Sequence, residues 1–482
     1  MPMNVAEARF GVFRAWANAY PHNSVENHID EAGRKINSGR KAVEEARKNK
    51  DPEAHLPMQT ISEALGELSC EDGKTWAPIE NLPPEIRHLI ISYLDLESLK
   101  SFVQTSQLFY LHYTSDRIYL LRQCLQNTLG IIIVDAFAAY SSGLESFAQT
   151  RNKNQTKNFL ESYVKWRSHD YTSVLYKDLA DDHQIQEIVK IYFLTIKPIS
   201  RHFTEWALSN LVNEDEKLQT CSDKPPKAPK PLSRLEELRV LRALYRFQIY
   251  CNTFGRGPHI IKKQIIMDFH YPEIFRLLFC IFEPWEADEV NCIHAFAEQK
   301  FEQVFRSLSS DELREISKRH IPVDSTNDPI SWVLEETTSR GLELLSAMFR
   351  IQNHDILVST MLRYASSICG WPLRMVMFCD AQDDRWYKFP SDRDEKQRRL
   401  DPLPFDGDEE PDGNHRRPPL AWTLIWKGTY SCLFGYYFPD EFHKCGYLLW
   451  DADRIEYHGG KAIFDRYLEL VWDDWDVRDT FA

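Results

Sequence analysis

Between Ile79 and Val103 the sequence carries two short amphipathic helices in tandem, each with its own start signal. Pro83 and Pro84 stand where a first helical turn tolerates proline, because those N–H groups would lack partners anyway. Glu85 then places an anion near the positive end of the helix dipole. Leu82, Ile86, Leu89, Ile90, Tyr93 and Leu94 follow at helical spacing and draw one apolar stripe. Asp95 is a good N-cap for a second helix, whose stripe is Leu99, Phe102 and Val103. Helices of this length are marginal in water. The pair must bury its stripes against more of its own chain or against a partner.

The remaining length leaves room for a large body. At 482 residues core size is not limiting, and 43% apolar with 13% aromatic residues mark a globular chain. A net charge of −14 argues against generic nucleic-acid binding, which needs clustered Lys and Arg. The ten cysteines are scattered without a Cys-x-x-Cys pair, so they read as reduced, mostly buried thiols of an intracellular protein. The opening residues carry no secretory pattern, and Glu7 argues against a mitochondrial presequence. No run reaches the eighteen apolar residues of a membrane span; Gly130–Tyr140 and Ile274–Phe282 read as core segments.

Three regions follow from patterning. Residues 1–75 read as a helical, partly ordered arm, thinly apolar and charged from Lys35 to Lys50. Residues 76–126 form the short helical module, with a further helix expected after Ser115 carrying Ile118, Leu121 and Leu125. Residues 127–482 read as a helical body. Its helices are expected at Ile131–Tyr140, Lys157–Arg167, Gln184–Thr195, Leu235–Cys251, Ile260–Phe269, Ile274–Phe282, Ala287–Ser307, Ser310–His320, Ser331–Phe349 and Lys461–Trp475. Leu420–Ile425 and Gly446–Trp450 read as short extended segments. Two stretches, 213–233 and 390–419, are charged and proline-rich and read as disordered loops. The fold class is therefore mainly α: a short three-helix module followed by a large irregular helical domain with few or no strands.

The spelling of the module says more than its periodicity. Leu82-Pro-Pro-Glu-Ile86, then Ile90, Tyr93-Leu94, Asp95-Leu-Glu-Ser-Leu99 and Val103, resembles the F-box over about residues 78–125. Many F-boxes carry a Trp after the Val; here Gln107-Leu-Phe109-Tyr110 stands there, and Phe109 is expected to take the aromatic role. The resemblance implies docking onto the adaptor subunit of SCF-type cullin–RING ubiquitin ligases. By the stripe, adaptor contact falls to Leu82, Pro83, Ile86, Ile90, Leu94, Leu99 and Val103, some of which must instead form the module's own core. Phe282-Glu-Pro-Trp-Glu286 with Cys292-Ile-His294, and Gly446-Tyr-Leu-Leu-Trp-Asp451 with Gly459-Gly460, are similar more loosely to fungal F-box proteins with non-repeat C-terminal regions. No leucine-rich, WD or kelch period recurs.

Catalytic signatures are missing from the sequence. Phe254-Gly-Arg-Gly-Pro258 lacks P-loop and dinucleotide spacing and reads as a turn between helices. Cys292 with His294, and His443 with Cys445, are pairs without the four-ligand spacing of structural zinc. They read as buried cysteines beside hydrogen-bonded histidines. Asp406–Gly413 imitates a calcium loop but has Pro411 and Arg417 at the required Gly and Glu positions. No nucleophile elbow appears. The expectation is a non-catalytic, cofactor-free, metal-free receptor subunit, cytoplasmic and/or nuclear. It would bind the adaptor, and through it a cullin, and an unknown protein substrate, but neither nucleic acid nor membrane. Two alternatives stand: a structural or regulatory adaptor-binding protein that delivers no substrate, and an unrecognised enzyme in residues 127–482.

Overall fold

The start signals in the sequence become helix caps. Asp95 accepts a hydrogen bond from the Ser98 amide, and Pro83–Pro84 open the preceding helix as its N-cap and first residue. The computed structural model describes residues 79–168, 181–218, 230–258, 269–309, 311–312, 329–364, 373–377, 391–408 and 417–471. The arm 1–75 and the helices expected at Ile260–Phe269 and Ser310–His320 lie wholly or almost wholly outside them. About 77% of the described residues are helical and none forms a strand. A single antiparallel bridge joins Pro402 and Thr429. The chain divides into two compact units, 1–128 and 129–482.

In the first unit α1 (Pro84–Ser92), α2 (Leu96–Val103), α3 (Gln107–Ser115) and α4 (Arg117–Leu129) follow one another through tight turns. Ser115 closes α3 instead of capping α4: its hydroxyl donates back to the His112 carbonyl. The Asp116 carbonyl starts α4 by accepting from the Leu120 amide. The stretch Arg117–Ser142 is long and apolar enough to cross a membrane by composition alone, yet 67% of its apolar 18-residue window is buried inside the protein.

The larger unit is organised by α10 (Arg234–Thr253). Before it come α5 (Ile133–Ser142), α6 (Glu145–Thr150), α7 (Lys153–Ser168), α8 (Asp182–Ile191) and α9 (Lys197–Leu218). After it come α11 (Tyr271–Leu278), α12 (Pro284–Arg306), α13 (Pro329–Thr338), α14 (Leu342–Arg350), α15 (His354–Tyr364) and α16 (Leu373–Val376). The C-terminal part supplies α17 (Asp392–Arg398), α18 (Leu420–Ile425), α19 (Asp440–Cys445), α20 (Ala452–Tyr457) and α21 (Gly460–Val471). Helix α10 lies against α5 and α12, and α12 in turn meets α13 and α19.

Ser233 and Glu236 form a capping box at the start of α10, satisfying two end amides reciprocally. From there the helix is buried nearly all round, arginines included. Arg239 reaches Asp451 (3.0 Å) and Asp408 (3.1 Å). Arg242 pairs with Glu289 and, at 3.1 Å, with Glu286. Arg246 lies 3.2 Å from both Asp135 and Glu286. Burial opposes the charge on Glu286, but Arg246, Arg242 and Arg167 outweigh it and hold the carboxyl well below its usual range.

Several sequence expectations change. Leu420–Ile425 is a helix opened by Pro419, not an extended segment, and it brings Trp422 and Trp426 onto one side. Gly446–Trp450 is a turn: Gly446 adopts the left-handed conformation (φ 63°) that stops α19. The single helix expected over Ser331–Phe349 is broken at Gly341, whose φ of 87° suits glycine. A Cβ at Gly341 would meet the Gln248 side chain, which accepts from the Leu342 amide. At the start of the 213–233 stretch expected as a loop, residues 213–218 continue α9, with Glu214 and Asp215 buried beside Tyr467 and His458. Its far end is fastened too, since the carbonyls of Lys230 and Pro231 accept from Arg454. Within 390–419, Ser391 caps α17 and residues 401–403 bond to 428–430.

The helix expected over Gln184–Thr195 instead runs on through a π-helical turn, Tyr192–Ile196, into α9. Pro198 explains the widening. It has no N–H for the Leu194 carbonyl four residues back, and its ring would clash there in a regular helix. The released Leu194 carbonyl is taken by the Ser346 hydroxyl from α14 at 2.9 Å. Helix α21 closes the C-terminal cluster. Ile463, Phe464 and Leu468 are buried, and the Phe464 ring lies 5.1 Å from Phe442. The Trp472–Trp475 end expected for this helix falls outside the described residues.

Ser346→Ala is expected to cost about 1–3 kcal/mol, because the Leu194 carbonyl loses the hydroxyl that bonds it from outside the helix. In a Pro198→Ala background, where the helix supplies its own N–H, the cost should shrink. Urea midpoints of the four proteins measure this, and equal costs in both backgrounds contradict the account. Phe464→Ala is expected to cost about 3–5 kcal/mol, and removal of residues 461–482 should destabilise the larger unit severely. An unchanged melting temperature after that deletion would instead make the segment a detachable acidic tail.

Candidate functional site

The first unit holds together through its last helix. The turn between α1 and α2 exposes backbone groups that need partners. Asn127 on α4 donates to the carbonyls of Ser92 (2.8 Å) and Leu94 (3.0 Å). The Thr128 hydroxyl accepts from the Leu96 amide at 2.8 Å and donates to Cys124. The Cys124 thiol in turn points at the Ile91 carbonyl, 3.4 Å away. Burial pushes that thiol up to about 12, so it is a structural donor and not a reactive thiolate.

This anchoring divides the seven candidate residues. Leu82 (9% exposed), Leu99 (1%) and Val103 (4%) are buried. They join Ile91, Leu96, Phe109, Tyr113, Leu120 and Leu125 among the buried apolar residues of the unit. Phe109 stacks on Phe102 with ring centres 4.2 Å apart. Pro83 is exposed, and Ile86, Ile90 and Leu94 are half-buried. The accessible stripe of α1 is therefore Ile86, Ile90 and, one turn on, Tyr93, which is 50% exposed. Sequence reasoning missed Leu108 and Leu111 on α3, the latter 57% exposed. The signal was present: Gln107-Leu-Phe-Tyr-Leu-His-Tyr113 has more apolar residues than one helix face can bury.

Two histidines sit at this surface. His88 stacks on Tyr119 with ring centres 5.2 Å apart, and His112 lies 5.6 Å from His88. Burial first, then the neighbouring His88 and Arg87, push His112 down to about 4. Burial also lowers His88, against the pull of Asp116.

In the larger unit the Cys292–His294 and His443–Cys445 pairs are buried. Asp288 lies 3.1 Å from His443 Nε2 and accepts from Tyr447 and Asn291 and from the Gly435 amide. Burial opposes both charges. The ion pair outweighs it, holding His443 above and Asp288 below their ordinary values. Cys292 and Cys445 are buried thiols, Cys445 pushed up to about 12. Among the described residues no three His, Cys, Asp or Glu side chains gather as metal ligands would. The Phe254–Pro258 turn spends two backbone amides, of Arg256 and Gly257, on the Ser339 carbonyl, so it offers no phosphate cradle.

The depressed histidines make the first unit acid-sensitive. A histidine with a lowered folded pKa contributes stability that is present above about 6.5 and lost as pH falls towards the folded value. His112 should therefore titrate near 4 by NMR. Unfolding of this unit should become easier between pH 6.5 and 4, and His112→Gln should reduce that slope. A titration midpoint near 6.5 would contradict the buried environment.

The chain matches no family model, no curated protein and no solved structure, so the reading of this surface rests on its own residues.

Proposed function

We propose that residues 79–128 are an F-box-type docking module and that the chain is a substrate receptor of an SCF-type ubiquitin ligase. One observation carries the reading. The Leu82-Pro-Pro-Glu-Ile86 start opens a compact helical unit whose first helix leaves an apolar stripe accessible after the unit's own core is satisfied. Ile86, Ile90 and Tyr93 lie along that stripe, Pro83 stands exposed at its start, Leu94 is half-buried beside its end, and Leu108 and Leu111 add apolar surface on α3. An amphipathic helix laid into an apolar groove is recognised by such i, i+4, i+7 anchors. In this reading the larger unit holds the target and has no active site of its own; the mechanism is proximity, which raises the target's effective concentration near a ubiquitin-charged enzyme.

The division of the seven residues selects the test. Leu82→Asp would put a charge in the core and unfold the unit, so it cannot report on docking. Ile86→Asp with Ile90→Asp changes the accessible stripe. Removing each apolar contact forfeits roughly 1.5–3 kcal/mol, so the double variant is expected to lose the adaptor and the cullin on affinity purification while keeping its helical circular dichroism. Full retention of the adaptor by this folded variant overturns the reading. Capture of the adaptor without any neddylated cullin would favour the non-delivering, regulatory alternative.

A further inference from the structure

The first unit leaves a large share of its apolar surface in water. Of the twelve large apolar side chains that the described residues leave exposed, six lie from Ile79 to Tyr119. Single exposed apolar residues need no explanation, but a concentration of them marks an interaction surface. On α1 this surface carries Tyr93, 50% exposed, with the half-buried Ile86 and Ile90. On α3 it carries Leu108 and Leu111, three residues apart and so on one side of the helix. The two helices meet at His112, whose ring centre lies 5.6 Å from that of His88. The sign of the surrounding charge is negative: from Ile79 to Ser115, Glu80, Glu85, Asp95 and Glu97 stand against Arg87 and Lys100.

Residues 1–78 lie outside the described residues and run straight into Ile79. Two stretches of this arm have apolar side chains at helical spacing. Phe10, Phe13, Ala17 and Tyr20 share one side of a helix, Trp16 stands next to them, and Pro21 ends the pattern. Met58, Ile61, Leu65 and Leu68 repeat the spacing nearer the unit.

Charge separates the two stretches. Arg9 and Arg14 accompany the first, with no acid from Ala8 to His22, whereas Glu63 and Glu67 lie within the second. Only the first is opposite in sign to the helices it would meet. Its three large aromatic rings and Trp16 also bring more apolar area than the aliphatic side chains of the second. The chain between Tyr20 and Ile79 is long enough to reach any point on so small a module.

We propose that the Phe10–Tyr20 segment folds back onto the α1–α3 surface of the first unit, its aromatic side against Tyr93, Leu108 and Leu111. Tethering makes this contact intramolecular. At a local concentration on the order of 1 mM, an affinity of about 0.1 mM keeps the surface covered in roughly nine of ten molecules. That the segment thereby holds off an adaptor rests on the docking reading of this unit; the contact itself does not.

The test is fluorescence anisotropy with a labelled peptide of residues 8–22, added to the full chain and to full-length variants. Phe13→Asp with Trp16→Asp disables the chain's own segment, so this variant is expected to bind the peptide about tenfold more tightly than the parent does. Adding Tyr93→Asp with Leu111→Asp, both at side chains at least half exposed, should abolish that binding and leave the helical circular dichroism unchanged. A labelled peptide of residues 57–69 should bind none of the three proteins. The proposal is overturned if the 8–22 peptide binds the parent and the segment variant equally, or if it binds neither. It is overturned as well if the peptide still binds once Tyr93 and Leu111 are changed, or if the 57–69 peptide binds as tightly. Adaptor capture enters none of these readouts, so a failure of the docking reading and a failure of this contact are told apart.

Discussion

Three guanidinium groups on one buried helix govern the larger unit. Taking a charge out of water costs several kcal/mol even after relaxation, so Arg239, Arg242 and Arg246 can be buried only if acids meet them. Those acids come from three distant parts of the chain: Asp135 before α10, Glu286 and Glu289 on α12, and Asp408 with Asp451 near the end. Helix α10 thus sets the register of everything around it. A one-turn slip of α12 would carry Glu286 and Glu289 away from Arg242 and leave Arg246 with Asp135 alone. The planar fork of arginine suits this duty, because a single side chain can hold two carboxylates at fixed angles.

This dependence explains what the sequence disclosed and what it concealed. The apolar stripe of Leu235–Cys251 was plain, and so was its helix. The arginines at three- and four-residue spacing along it gave no sign of their partners, which lie from 44 to over 200 positions away. The same distance hid the burial of Glu214 and Asp215, which look like the start of a charged loop until Tyr467 and His458 are placed beside them. Leu420–Ile425 was misread for another reason. Six residues, five of them apolar, offer too little length to tell a period of 3.6 from a buried strand, and Pro419 was counted with the loop before it instead of as a helix start.

The docking surface was half legible. Pro83, Pro84, Glu85 and Asp95 announced both helices and their boundaries, because caps are local chemistry. Which apolar residues stay accessible was not local. That answer depends on α4, where Asn127 and Thr128 tie down the α1–α2 turn and fix which side of each helix faces inward. Asn127 and Thr128, three and four residues after Cys124 and so on the same side of α4, were the trace of that role.

The π-helical turn at Tyr192–Ile196 has a consequence for rotational phase. A regular helix advances about 100° per residue, and the wider turn takes up one residue more than a regular turn does. Downstream of it, Phe203, Ala207 and Leu211 face inward. Excising one residue from the turn in a Pro198→Ala background would restore a regular helix but swing those three side chains about a quarter of a revolution, turning the buried face of α9 away from α19 and α21. The bulge therefore acts as a phase adjuster between two stretches of one continuous rod. It is a place where a one-residue change in chain length would alter the aim of half a helix while leaving its hydrogen bonding intact.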